Sequence, residues 1–498
     1  MNGNPLFKKE AALKFNDMRE FIEAVDRMGE LEKINNAHWD LEIGAITELM
    51  AEKRGPALLF DHIAGYPAGY RILSNAFATR KRVAIVMGLS PELGPMDMLR
   101  AWREKIKEFK PVPPITVKTG PVLENSLTGS AIDFARFPTP KWHELDGGRY
   151  IGTGCSVITR DPEEGWVNVG TYKTMQYETE KDILACKINR SQHGRTQMDK
   201  YHARGKDCPV VITFGQDPAL WMASTDSGVR WGVSEYDFAG WMRGAPVEVL
   251  KGECTGLPIP ATAEIAIEGM IPPLTEESTY KEGPCGEWYG YYHPGSRGVN
   301  LPIVKVKAVY HRNNPILFGS MQVRPPAAYR AGIPLEAATL WDQIEGAGIE
   351  GVKGVWFLLF AYAVVVVVSI KQLYPGHSKQ TALAASGTRS AMNGNCKMVI
   401  VVDEDVDITN IDEVMWAVAS RCNPQQVEIF KGLKTNPDDP LLTPEQRAKD
   451  DFTMGRLFID ACRPYTRRNE FPKVNRFSDE YRQHIEAKWQ DLFKKFEK

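Results

Sequence analysis

The chain has no CxxC pair. Its eight cysteines, Cys155, Cys186, Cys208, Cys254, Cys285, Cys396, Cys422 and Cys462, are scattered over 498 residues. That spacing excludes a zinc ribbon and a disulfide framework, and points to a reducing compartment, the cytoplasm. An excess of one charge sign is missing too. Lys and Arg number 61 against 63 Asp and Glu, a net charge of -2, so nothing electrostatic favours nucleic acid or an anionic membrane as partner. The opening residues, MNGNPLFKKEAALKF, hold no apolar core of a signal peptide, and none is expected. Repeats and low-complexity tracts are absent from the sequence. Long uncharged runs are scarce: VWFLLFAYAVVVVVSI (355–370) stops short of the roughly 20 residues of a membrane span. Its valines, and Lys353 and Lys371 on its flanks, predict a strand buried on both faces instead.

What is present is an ordinary globular composition, 43% hydrophobic and 25% charged, in a chain too long for one core. The expected class is a multi-domain α/β (α+β) protein. Residues 1–115 read as α/β. Asn16 is positioned to cap a helix with apolar Met18, Phe21, Ile22, Val25 and Met28, stopped by Gly29. PALLF (56–60) and RVAIVMG (82–88) follow as strands. The proline-rich PVPPITVKTGP (111–121) marks a boundary. Residues 116–322 are β-rich and barrel-like: TGCSVITR (153–160), WVNVGTYKTMQY (166–177), CPVVITFG (208–215) and LPIVKVKAVYH (301–311), with a short helix near 236–243. Residues 323–498 return to α/β, with KMVIVVDEDVDI (397–408) as a buried strand. DEDVDI resembles an acidic metal loop but lacks the EF-hand glycine and glutamate, so it reads as a strand end leading to a capped helix. The last segment starts at a Ser478 cap. Its stripe of Tyr481, Ile485, Trp489, Leu492, Phe493 and Phe496 packs on its own chain or on a partner subunit.

Several stretches carry chemistry-bearing residues. In TYKEGPCGEWYGYY (279–292), Glu282 and Glu287 stand five apart, a spacing that suits neither a helix face nor one face of a strand. Gly283, Pro284 and Gly286 predict an irregular turn. Such a turn either aims both carboxylates into one pocket or leaves two solvated glutamates. In WVNVGTYK, Asn168 precedes Gly170, Thr171, Tyr172 and Lys173; glycine permits close approach of a ligand, and lysine offers a point charge to a phosphate or carboxylate. His193 and His202 lie nine apart, which is no zinc spacing. Ala223, Ser224, Thr225 and Glu235 offer hydroxyl, carbonyl and carboxylate oxygens. Asn, His and Glu with phosphate oxygens suit Mg²⁺ or Mn²⁺, while hydroxyls and carbonyls suit a monovalent ion. YPGHSKQ (374–380) puts His377 and Lys379 after a buried strand, where α/β folds hold ligands.

Taken in order, these motifs resemble the UbiD-type decarboxylases, which use prenylated flavin mononucleotide. The resemblance runs over nearly the whole chain: MREFIEAVDRMGELEKI, GPALLFDHIAGYP, FPTPKWHELDGGRYIGTGCSVITRDPEEGWVNVGTYK, SEYDFAGWMRGAPVEVLK, PATAEIAIEG, EGPCGEWYGYY, YPGHSKQ and VVDEDVDITNIDEVMWAVASR. It implies an N-terminal α/β domain, a central split β-barrel that carries the flavin, and a C-terminal α/β domain whose last helix serves oligomerisation, in a homodimer or homohexamer. By motif, Asn168, His193 and Glu235 resemble ligands of the divalent metal (Mn²⁺, Mg²⁺ or Fe²⁺) that bridges protein and flavin phosphate. Ala223, Ser224, Thr225 and Glu235 resemble the surroundings of K⁺. Thr171, Tyr172, Lys173, Gln192 and Lys379 join the flavin site.

Glu282 and Glu287 resemble the family's catalytic acids. The family usually has arginine where this chain has Lys173, which keeps the charge and loses the bidentate fork. That substitution bears on how a substrate carboxylate is held and on cofactor maturation. The activity implied is a reversible non-oxidative decarboxylation of an aromatic or unsaturated acid through a covalent substrate–flavin adduct. Glu287, its proton affinity raised by burial beside Trp288, would be the proton donor, and Glu282 and Lys173 a charged pair. The alternatives are an aromatic acyl-CoA decarboxylase of the phthaloyl-CoA type, a physiological carboxylase, and a non-catalytic flavin-binding protein. A flavin prenyltransferase is the implied supplier of the cofactor, and neither membrane nor nucleic acid is an expected partner.

Overall fold

The computed structural model describes residues 15–177, 179–189, 192–225, 229, 231–293, 300–325, 333–358, 364–390 and 396–495. The first helix, Met18–Arg27, buries Met18, Phe21, Ile22 and Val25. Its cap is Asp17 rather than the expected Asn16. The Asp17 carboxylate accepts from Glu20 N, while Asn16, one residue too early, donates to the Glu20 carboxylate. Strands Leu31–Asn35, Ala57–Asp61 and Arg71–Ser74 form a sheet. Residues 82–88, expected as a strand, lie in and just beyond helix Arg80–Val86. A short apolar run fully inside a core shows no period that separates strand from helix. Here the buried Arg82 decides: it ties the helix to Glu30 (2.7 Å) and to the carbonyls of Gly55, Asn75 and Ala76.

The central part is built on one sheet in the order Val167–Gly170, Ser156–Arg160, Cys208–Phe214, Ile265–Ile271, Asn300–His311, Ile183–Cys186 and Thr174–Gln176. It curls into a half-barrel. The 12-residue strand Asn300–His311 also pairs with Asn125–Thr128 and Thr279–Lys281, and a register shift at Glu268/Gly269 bends its neighbour. Segment 166–177 is two strands broken at 171–173, not one. The chain then returns to the first sheet, where Ile316–Phe318 pairs in parallel with Arg71–Ser74.

The third sheet runs Val352–Phe357, Val365–Ile370, Met398–Asp403, Thr453–Ala461, Glu428–Lys434. The valine run is therefore two antiparallel strands, its middle (359–363) lying outside the described residues. Sixteen residues exceed the usual strand length, and an antiparallel partner uses the surplus. No helix among the described residues is long and apolar enough to cross a membrane. The acidic loop 403–408 is engaged by Arg421 and Arg463, which neutralise Asp403 and Asp405. Helix Ile411–Arg421 follows, capped by Asn410.

Arg103, on helix Pro95–Lys107, reaches helix Ile333–Gly346. It bonds Asp342 at 2.8 Å and lies over the Trp341 ring. The terminal stripe falls on two short helices, Asp479–Lys488 and Gln490–Phe493, with Ser478 capping the first. Tyr481, Trp489, Leu492 and Phe493 are exposed, and Phe496 lies outside the described residues.

Candidate active site

The acid turn is held by the segment HELDGG (143–148). A Cβ on Gly147 would fall 2.2 Å from Gly283 Cα, so backbone packs on backbone there. Gly147 N donates to Pro284 O (2.7 Å) and Gly286 N to Asp146 Oδ1 (3.0 Å). Asp146 is in turn fixed by His143, whose ring lies against Gly286 and contacts Gln322 O at 2.7 Å. Cys285–Gly286 pairs with Tyr292–His293, which closes the turn. Both glutamates end up buried, at 4% exposure for Glu282 and 6% for Glu287. The reading of two solvated glutamates is overturned.

Their partners differ from expectation. Lys173 Nζ lies 2.8 Å from Glu287 Oε1 and donates to Cys285 Sγ and Gly286 O. It pairs with Glu287, not Glu282. A second ammonium, Lys187 Nζ, lies 2.7 Å from the same Glu287 oxygen. Tyr150 OH donates to Glu282 Oε1 at 3.0 Å. Burial alone would raise the Glu287 carboxyl, but Lys173 and Lys187 outweigh it and hold Glu287 well below the usual carboxylate range. Glu282 moves the other way: burial pushes it up, against the pull of Lys187 and Lys173. Burial works against both ammoniums, yet both stay above the ordinary lysine value, Lys173 through Cys285 and Glu287, Lys187 through Asp438 and Glu287. The Cys285 thiol is pushed up to about 12, chiefly by burial. So burial moves Glu282 toward its protonated form, while the two lysines hold Glu287 as the carboxylate.

Lys187 was missed in the sequence, although a signal existed. Thr174 faces Cys186 across the antiparallel strands, and Lys187 N donates to Lys173 O at 2.8 Å. The register that pairs 174 with 186 pairs 173 with 187. Two like charges directly opposite are destabilising unless something lies between them. Glu287 is that group.

Upstream on the same chain segment, Asn168 sits in strand Val167–Gly170, buried, and helices His193–His202 and Glu235–Arg243 pack on that strand. Glu235 Oε2 accepts from Val169 N at 2.7 Å. Tyr172 OH joins the cluster, accepting from Gly194 N (3.2 Å) and from Asn168 Nδ2 (3.4 Å). Gly170 and Gly194 are small because the Tyr172 ring fills the space of their Cβ atoms, not because a ligand approaches. His193, between Trp166 and Trp231, lies 3.3 Å from Arg389 Nη2. Burial and that arginine favour its neutral form.

Thr171 Oγ1 and Ser224 Oγ are 2.8 Å apart at the C-terminal end of helix Pro218–Thr225, which carries Ala223 and Thr225. Gln192 caps helix His193–His202 and accepts from Asn189 N through its side chain. Lys379 is not brought to this cluster. It is half-exposed on helix His377–Gly387 and paired with Glu428 at 2.6 Å.

The donor set fits a phosphate-bridging cation. One carboxylate, one amide and one imidazole leave a divalent ion short of negative charge, which a phosphate supplies. The carbonyls at a helix C-terminus with neighbouring hydroxyls suit a monovalent ion. Arg389 beside the imidazole suits a phosphate oxygen. Among the described residues no group of three His, Cys, Asp or Glu gathers as a metal site.

Comparison with known proteins identifies the family. Three family models match in sequence order: the 3-octaprenyl-4-hydroxybenzoate carboxy-lyase N-terminal domain over residues 22–102, its Rift-related domain over 115–325 and its C-terminal domain over 331–461. A pyrrole-2-carboxylic acid decarboxylase of Pseudomonas aeruginosa is 32% identical, over 90% of this chain and 91% of its own. A phenolic acid decarboxylase of Bacillus subtilis is 32% identical, over 86% of this chain and 89% of its own. Among solved structures, the closed form of vanillic acid decarboxylase from Sedimentibacter hydroxybenzoicus superposes with a TM-score of 0.80 at 27% identity, over 96% of this chain and 99% of that one. HmfF of Pelotomaculum thermopropionicum, a UbiD-class enzyme in complex with FMN, gives 0.79 at 28% identity, over 93% and 98%. With all three models matched along its length and relatives of nearly the same extent above 30% identity, the chain belongs to the UbiD family of carboxy-lyases.

Proposed function

We propose that this chain is a reversible, non-oxidative decarboxylase of an aromatic or otherwise unsaturated acid that works with prenylated FMN. The observation that carries the reading is a buried carboxylate, Glu287, gripped by two ammoniums, Lys173 and Lys187, beside a second acid, Glu282. The names of the relatives support the reaction class. A UbiD-class neighbour in complex with prenylated FMN, with a TM-score of 0.76, supports the cofactor.

Asn168, His193 and Glu235, with Thr171, Ser224 and Thr225 beside them, would hold the flavin phosphate with its divalent cation and K⁺. When bound, prenylated FMN supplies an electrophilic centre that takes up the electron pair as carbon dioxide departs. The chain's own residues handle charge and proton. Lys173 and Lys187 receive the substrate carboxylate. An arriving anion competes with Glu287 for the same ammoniums, so Glu287 loses what keeps it ionised and takes a proton. Glu282, moved by burial toward its protonated form and hydrogen-bonded by Tyr150, is the nearby source, and it regains a proton from solvent after the product leaves. Departure of carbon dioxide removes the competing charge. The restored grip of the two lysines then favours return of Glu287 to the carboxylate, and its proton goes to the substrate carbon. Reversal of these steps is carboxylation.

The test is protein co-produced with a flavin prenyltransferase. Mass spectrometry of the released cofactor is expected to give prenylated FMN. Carbon dioxide release is expected from at least one of a panel of hydroxybenzoic acids, pyrrole-2-carboxylic acid and aromatic acyl-CoA thioesters. Prenylated FMN in place with no acid turned over would overturn the reading. Glu235→Ala is expected to lower the flavin retained after desalting by about tenfold or more, measured by absorbance, because the cation loses its one carboxylate.

A further inference from the structure

Residues 436–440 (NPDDP) belong to the C-terminal part of the chain, yet they reach the acid turn. Lys187 Nζ is 2.7 Å from Glu287 Oε1 and 3.4 Å from Asp438 Oδ1. The next aspartate, Asp439, takes Lys397 Nζ at 2.7 Å, and that ammonium stands 5.5 Å from the Tyr289 ring centre, in the same turn as Glu287. Two adjacent aspartates thus meet the turn through two lysines.

The loop is stiff. Arg447 donates to Pro437 O and to Asp439 O, Asp438 N donates to Asn436 Oδ1, and the Asp439 carboxylate also takes Thr435 Oγ1 and Leu441 N. Lys187 is equally constrained at its backbone, which is bonded to Lys173 O. Only its side chain is left to divide itself between Glu287 and Asp438.

We propose that Lys187 is shared between Glu287 and Asp438, so that seating of loop 436–440 sets how firmly Glu287 is held as a carboxylate. The role of Glu287 rests on the proposed function; the shared contact does not. Among the described residues, the titratable groups facing Glu287 are Lys173, Lys187, Cys285 and Glu282; those facing Lys187 are Glu287, Asp438, Glu282 and Cys285. Asp438 draws off part of the ammonium that Glu287 would otherwise have to itself. Without Asp438, Glu287 is harder to protonate; without Lys187, it is easier.

Two measurements on the full chain test this. The pH profile of kcat reports the substrate-bound state, in which the arriving anion has loosened the lysines from Glu287, and its alkaline limb follows loss of the Glu287 proton there. Asp438→Asn is expected to move it to lower pH and Lys187→Met to higher pH. At one pH on that limb, each variant differs from wild type by about threefold or more in opposite directions, after scaling to its own plateau. Lys187→Arg is expected to restore the wild-type limb. Hydrogen exchange, which needs no turnover, is the second readout. Both Asp438→Asn and Lys187→Met are expected to speed exchange in 282–292 and 436–440 together, by about twofold or more. Limbs that move in the same direction or not at all, or exchange confined to the substituted segment, would overturn the proposal. If wild type turns over no acid, the proposed function fails, and exchange alone judges the coupling.

Discussion

Glu287→Gln is expected to lower kcat by about 10²–10⁴-fold and to abolish solvent-deuterium exchange into the product, while leaving flavin content near wild type. The magnitude is that of losing a positioned proton donor. The cofactor stays because its expected ligands, Asn168, His193 and Glu235, lie on other elements than the acid turn. The same substitution removes the charge that separates Lys173 from Lys187, which face each other across paired strands. With Lys173 left without its carboxylate and Lys187 with Asp438 alone, the loss should cost about 3–5 kcal/mol, read as a lower melting temperature. Addition of Lys187→Met separates the two effects. The double variant should recover most of the melting temperature and none of the turnover. Recovery of turnover would mean that the carboxylate serves only to neutralise the lysines, and the proton donor would have to be sought elsewhere, with Glu282 the first candidate.

Gly147→Ala should be nearly as damaging, although the residue has no side chain and titrates nothing. The new methyl would lie 2.2 Å from Gly283 Cα and 2.9 Å from the Gly283 N and C atoms. All three are backbone, so no rotamer change relieves the contact, and the acid turn must move. It would also strain the Gly147 N to Pro284 O bond beside it. A displacement on the order of 1 Å at reacting groups costs about 10²-fold in rate, and that loss is expected in kcat/KM. Flavin content should again be close to wild type. Gly346→Ala is the control: its Cβ would meet nothing within 4 Å, and activity should be unchanged. Equal loss in both variants would show that the close Gly147–Gly283 packing does not hold the acids in place.

Much of this protein is legible in one dimension because its signals are local. The strands within 153–160, 208–215 and 301–311, the capped helix after the acidic loop and the apolar face of the first helix follow from backbone sterics and from which side chains neighbours can cover. The family likewise follows from motifs in order, and with it the expectation that Glu282 and Glu287 face inward from one turn. Where local signals were equal, tertiary contacts decided. The run 82–88 had the composition of a strand, but Arg82 found Glu30 and three carbonyls and made it helical. The valine run supplied two strands because each had a neighbour to pair with.

The sequence by itself determined the family and, through its motifs, the candidate residues: two acids, an amide, an imidazole and a lysine beside them. Only the tertiary structure decided who pairs with whom. Lys173 is charged wherever it stands, but whether it meets Glu282 or Glu287 depends on a strand that breaks at 171–173 and on a turn braced by residues 143–148. Lys187 lies 100 positions from Glu287, and Asp438 lies 251 from Lys187. Lys379, near the site by motif, is paired with Glu428. Ion pairing falls off with distance through space, and burial sets how strongly it is felt. Neither quantity is written in the spacing of residues along a chain, so the opposite pulls on the two acids, Glu282 upward and Glu287 downward, emerge only when the fold brings burial and the lysines to them.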